Sequence, residues 1–113
     1  MTLGDLVSRL DLRVFTPGPG LDRPVLGGYC GDLLSDVIGH GRTGDVWLTI
    51  QVHPNVVAVA ALKDLAAIVM VNGREPSAET LEQAAREKVA VLGASLPAFE
   101  LAGRLHGMGL KGR

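Results

Sequence analysis

Short apolar runs rich in valine and isoleucine alternate with helical patterns along this whole chain, and the loops between them are brief. Few architectures satisfy such an alternation. Strands that take turns with helices build βαβ units, so a mainly parallel sheet is expected. Right-handed crossovers then place helices on both of its faces. Residues 2–10 read as the first helix, because Leu3, Leu6, Val7 and Leu10 recur at helical spacing. Residues 12–15 read as a short strand. The alternating Pro and Gly of TPGPGLD make residues 16–22 a loop. Residues 25–29 read as a second strand running into Gly27 and Gly28, and residues 32–38 as a short helix with Asp32 as its N-cap.

The second half is clearer. Residues 45–50, DVWLTI, are apolar on both faces, as a central strand covered twice must be. A helix over 54–65 follows, with Pro54 in its first turn, where the missing N–H costs nothing. Residues 67–71, AIVMV, form another buried strand, and 72–76 a loop. A helix over 77–87 is capped by Ser77, with Glu79 and Glu82 near its positive end. Residues 89–92 read as a strand and 96–108 as the last helix, with Pro97 in its first turn and Gly107 and Gly109 at its end. The tail, 111–113, is expected to fray. The fold class is therefore α/β, a three-layer sandwich around a four- to five-stranded sheet, with residues 1–113 as one domain.

Composition narrows the function. Eleven basic residues against twelve acidic leave a net charge of −1, with no clustered basic stripe, which argues against nucleic acid or an anionic membrane as partner. No apolar run reaches the roughly 18 residues of a spanning helix. The opening MTLGDLVSRLDLRVF has no basic start and no long apolar stretch, so no signal peptide is expected. A single cysteine, Cys30, leaves no internal disulfide and fits a reducing, cytoplasmic setting. Few charges and a high apolar content favour self-association, with a homodimer the commonest outcome.

The motifs that could carry chemistry are weak. Gly39-His40-Gly41-Arg42-Thr43-Gly44 matches G-x-G-x-x-G, but it follows a helix and precedes a strand, the reverse of a dinucleotide fingerprint. It reads as a turn. Asp45 after Gly44 also excludes a phosphate loop of the Lys-Ser/Thr type. No serine sits in a nucleophile elbow. Cys30 reads as a small buried filler rather than a reactive thiol. His40, His53 and His106 match no metal-ligand spacing, and no cofactor or catalytic residue is expected. A position remains. In open parallel sheets, ligands bind beyond the carboxyl ends of the strands. There the sequence places Gly27, Gly28, Tyr29 and Asp32, then Gln51, His53 and Asn55, then Asn72 and Gly73 ahead of Arg74, then Ser95. Glycine lets a ligand approach the backbone, and helix N-termini hold anions.

Two ordered stretches resemble stand-alone DRTGG-domain proteins: Gly27-Gly28-Tyr29-Cys30-Gly31-Asp32-Leu33-Leu34-Ser35-Asp36-Val37, and Gly44-Asp45-Val46-Trp47-Leu48-Thr49-Ile50-Gln51 with His53, Asn55 and Ala58-Val59-Ala60. Residues 67–73, followed by Arg74-Glu75-Pro76-Ser77, resemble the strand and loop from which the family's T-G-G takes its name. The likeness covers residues 21–110. The family's D-R pair stands here as His53-Pro54 or is missing, and its T-G-G is Val71-Asn72-Gly73. Asn72 still tolerates a left-handed turn. The resemblance implies a fold like the N-terminal domain of HPr kinase and a regulatory, ligand-sensing role without catalysis. DRTGG domains stand beside CBS domains in regulated pyrophosphatases, where the paired module binds adenine nucleotides, so a small anionic ligand of that kind is implied. Short members found beside iron-hydrogenase genes imply the alternative, an accessory protein-interaction subunit. One cysteine, Cys30, is too few to hold an iron–sulfur cluster.

Overall fold

The computed structural model describes residues 1–112. Among the described residues, five helices and five strands follow in the order α1 (Leu3–Leu10), β1 (Arg13–Pro17), β2 (Gly27–Cys30), α2 (Leu34–His40), β3 (Asp45–Thr49), α3 (Asn55–Lys63), β4 (Ala67–Met70), α4 (Ala78–Glu87), β5 (Ala90–Gly93) and α5 (Ala98–Gly107). Pro54 and Pro97 stand just ahead of α3 and α5, and Ser77 caps α4 by accepting the Thr80 N–H. Thr2 adds a capping box on α1 with Asp5. No helix among the described residues is long and apolar enough to cross a membrane.

The strands order as β1-β5-β4-β3-β2. β2, β3, β4 and β5 run parallel, but β1 pairs antiparallel with β5, so the sheet is mixed rather than all of one sense. The reason lies in the connection. A parallel neighbour in the same sheet needs a crossover, usually a helix. No helical pattern separates the first two strands. β1 instead ends beside Ala90, at the amino end of the sheet, where β2 begins opposite Asp45. The loop between them is held against the start of α1: Leu3 N–H donates to Arg23 and Gly4 N–H to Leu21.

Side-chain alternation gives each strand two apolar faces. Val46, Leu48, Ala67, Val69, Ala90 and Leu92 pack with α1 and α5 through Leu3, Leu6, Leu101 and Leu105. Trp47, Ile68, Met70 and Val91 pack on the other face with α2, α3 and α4 through Val37, Val56, Val57, Ala60 and Ala84. The result is the three-layer α/β sandwich that the alternation implies.

Three helices close through the same backbone turn, α3 and α4 at the amino end of the sheet and α1 at the carboxyl end, beside Gly93. Asp11, Asp64 and Lys88 each adopt the left-handed conformation, with φ of 53°, 52° and 55°. The next residue in each case is buried (Leu12, Leu65, Val89) and donates its N–H five residues back, to Val7, Ala60 and Ala84. This is the Schellman closure, with an apolar residue locking it. The turn over 39–44 lies at the amino end, where the Asp45 carboxylate accepts the Arg42 N–H at 2.9 Å. Of the tail expected to fray, Lys111 is tied to β2, its carbonyl accepting the Gly28 N–H at 3.1 Å. Arg113 lies outside the described residues.

Candidate functional site

At the carboxyl end, side chains hold the loops. Thr49 ends β3 fully buried, and a buried hydroxyl needs a partner. It donates to Asp32 Oδ1 at 2.8 Å, and the same oxygen accepts the Ile50 N–H at 2.9 Å. Asp32 is therefore not the N-cap of α2. Leu33 holds that position, with no side-chain cap. Gln51 Nε2 returns to the Asp32 carbonyl at 2.9 Å, and the buried Trp47 Nε1 donates to the Gly31 carbonyl at 2.8 Å. Thr80, buried on α4, donates to the Val52 carbonyl at 2.8 Å. His53 accepts the Asn55 N–H on Nδ1 at 3.3 Å.

The loop after β4 is shaped differently. Asn72 and Gly73 are consecutive left-handed residues, with φ of 61° and 67°. Asn72 N–H donates to Leu96 at 3.0 Å and Gly73 N–H to Ala94 at 2.9 Å, so the turn is stitched to the loop after β5. A Cβ on Gly73 would meet nothing within 4 Å; the backbone conformation, not crowding, calls for glycine there.

This turn carries Arg74 to the junction of two adjoining depressions. One, of about 260 Å³, is lined by Asp32, Ile50, Gln51, Val52, His53 and Arg74. The other, of about 240 Å³, includes Arg13, Gly73, Arg74, Gly93 and Ser95. Arg13 arrives because β1 is antiparallel and presents its beginning to this end of the sheet. It pairs with Glu75, and its guanidinium lies 4.6 Å from the Phe15 ring centre. Phe15 in turn explains Gly93, where a Cβ would come within 2.6 Å of the ring. With Glu75 paired to Arg13, the Arg74 side chain has no carboxylate partner among the described residues.

The strand-end residues named from the sequence thus divide. Asp32, Gln51 and His53 meet in the first depression, and Gly73 and Ser95 in the second. Asn72 shapes the turn between them. Asn55 opens α3, exposed and outside both linings. Gly27 and Gly28 lie at the beginning of β2, opposite Asp45 and Val46, not at its carboxyl end; the strand starts two residues later than its apolar run suggests. The Tyr29 hydroxyl donates to Asp36, and its pKa is pushed up to about 12, first by burial and then by that carboxylate. Cys30 is exposed rather than a buried filler, and partial desolvation, then Asp32, raises its thiol pKa. Cys30 and His53 line separate recesses. Sequence reasoning passed over Arg74 and Arg13. The signal for Arg74 was its place directly after a left-handed Asn-Gly turn; Arg13 needed the strand direction. No group of three or more His, Cys, Asp or Glu among the described residues is placed to hold a metal ion.

No family model matches the sequence, and no curated protein matches it. A solved structure does match: the CBS and DRTGG domains of the regulatory region of a Clostridium perfringens pyrophosphatase, complexed with the activator diadenosine tetraphosphate. The TM-score is 0.70 at 14% identity, over 90% of this chain. The match spans 44% of that longer chain. The protein therefore has a DRTGG-like α/β fold.

Proposed function

We propose that this chain is a non-catalytic regulatory module that binds a small anionic ligand, an adenine nucleotide by preference, beyond the carboxyl ends of its parallel strands. The observation that carries this reading is Arg74, exposed and without a carboxylate partner among the described residues, at the junction of two adjoining depressions. Arginine there offers a forked donor to a phosphate. His53 and Gln51 on one side, and Ser95 on the other, supply further polar contacts. The likeness to a regulatory region complexed with diadenosine tetraphosphate supports the ligand class. Calorimetric titration with AMP, ATP and diadenosine tetraphosphate tests it. Saturable binding is expected, weakened by about tenfold or more in Arg74→Ala, as for loss of one charge-assisted contact. Absence of binding by all three nucleotides overturns the reading.

A second reading, a self-associating accessory subunit, draws on the α3 surface. This helix is apolar nearly all round, and Leu62 on it is 70% exposed. Sedimentation equilibrium decides it: a homodimer dispersed by Leu62→Glu supports this reading, and a monomer at all concentrations removes it.

A further inference from the structure

A crevice of about 140 Å³ opens between β2 and α5, on the opposite face of the sheet from α2, α3 and α4. Its walls are apolar: Leu48 from β3, Ala102 and Leu105 from α5, and Leu110 from the segment that follows. Lys111 and His106 stand at its lip, Lys111 Nζ 3.5 Å from His106 Nε2. No carboxylate is among the described residues that line it. The end of α5 does not consume the lysine charge either, since the carbonyls of Arg104, Leu105 and His106 already accept backbone N–H groups from Met108, Gly109 and Leu110. An apolar recess with an unneutralised ammonium at its mouth is complementary to one class of molecule. The volume is close to the roughly 150 Å³ of an engineered apolar cavity that takes up benzene.

We propose that this crevice binds a small apolar monocarboxylic acid. Its hydrocarbon part lies between Leu48, Ala102 and Leu105, and its carboxylate meets Lys111 and His106. The site lies apart from the nucleotide depressions and does not depend on them. Cys30 lines the crevice and is the chain's one cysteine, so its thiol reports occupancy directly. The experiment measures the rate of Cys30 alkylation by N-ethylmaleimide, a neutral reagent, under titration with benzoate and with benzyl alcohol, at constant ionic strength and without nucleotide. Benzoate is expected to slow alkylation several-fold and saturably, and benzyl alcohol to need roughly tenfold higher concentration. Lys111→Met is expected to bring benzoate down to the level of the alcohol. Ala102→Phe, which fills the recess, is expected to abolish protection by both. Should Ala102→Phe fail to fold, Lys111→Met on the exposed tail carries the test. Unsaturable or absent protection by benzoate overturns the proposal, as does equal protection by benzyl alcohol or a Lys111→Met protein that responds as the parent does.

Discussion

The two ends of the sheet are closed by different means. At the amino end, α3 and α4 each finish in a left-handed residue, and a buried Leu or Val locks the chain onto a helix carbonyl. Those locking bonds are made by the backbone, so many sequences suffice for them. At the carboxyl end, backbone closures at α1 and at Asn72-Gly73 are joined by closures through named side chains: Asp32 to Thr49, Gln51 to the Asp32 carbonyl, Trp47 to Gly31, Thr80 to Val52. Each of those side-chain bonds fails if one residue changes. The contrast separates the end that holds the fold from the end that can be shaped for a ligand.

Four substitutions break or sharpen this contrast. The largest effect is expected from Trp47→Ala, which empties a fully buried site and frees the Gly31 carbonyl. Core aromatic truncations cost about 3–5 kcal/mol, so urea unfolding should show this protein near the edge of stability. Thr80→Val keeps the volume but leaves the Val52 carbonyl without its donor, at about 1–3 kcal/mol; a midpoint equal to the parent's would show that this closure contributes nothing.

The third concerns pH. Tyr29 titrates near 10 when unfolded and at about 12 when folded. The folded state thus retains a proton that the unfolded state loses. Stability is fully present below pH 10 and lost as the pH rises through 12. Tyr29→Phe is expected to flatten that alkaline limb in urea midpoints at pH 8 and pH 11, measured in a Cys30→Ser background because the raised thiol titrates with the same sign. Smallest, and opposite in direction, is Lys88→Gly at the amino end. Glycine relieves the left-handed strain at φ 55°, less its own entropic cost, a net gain of about 0.5 kcal/mol. A loss there would mean that the lysine side chain, not the backbone, closes α4.

Much of this was legible in the residues. DVWLTI and AIVMV announced central strands because both faces of each are apolar, and β3 and β4 are indeed buried on every residue. Ser77 announced the start of α4 through its own capping chemistry. The left-handed turn at Asn72 and Gly73 was readable from the tolerance of those two residues. Strand direction was not: local pattern is identical for parallel and antiparallel strands, and the clue was the helix missing between β1 and β2. Asp32 misled because an acidic residue before a helix fits an N-cap as well as it fits a distant threonine. Which strand-end residues share a depression depended on the order β5-β4-β3-β2, which no local signal encodes.

The first strand pairs with the last. In kinetic terms, the parallel core of β2 to β5 can assemble as consecutive right-handed units, each closing a short loop, while β1 has no ladder to join until β5 is in place. Closing so long a loop late slows folding toward the millisecond-to-second range of mixed and β-rich domains. During synthesis, α1 and β1 emerge before β5 and must wait, apolar face uncovered, for the strand that completes the sheet.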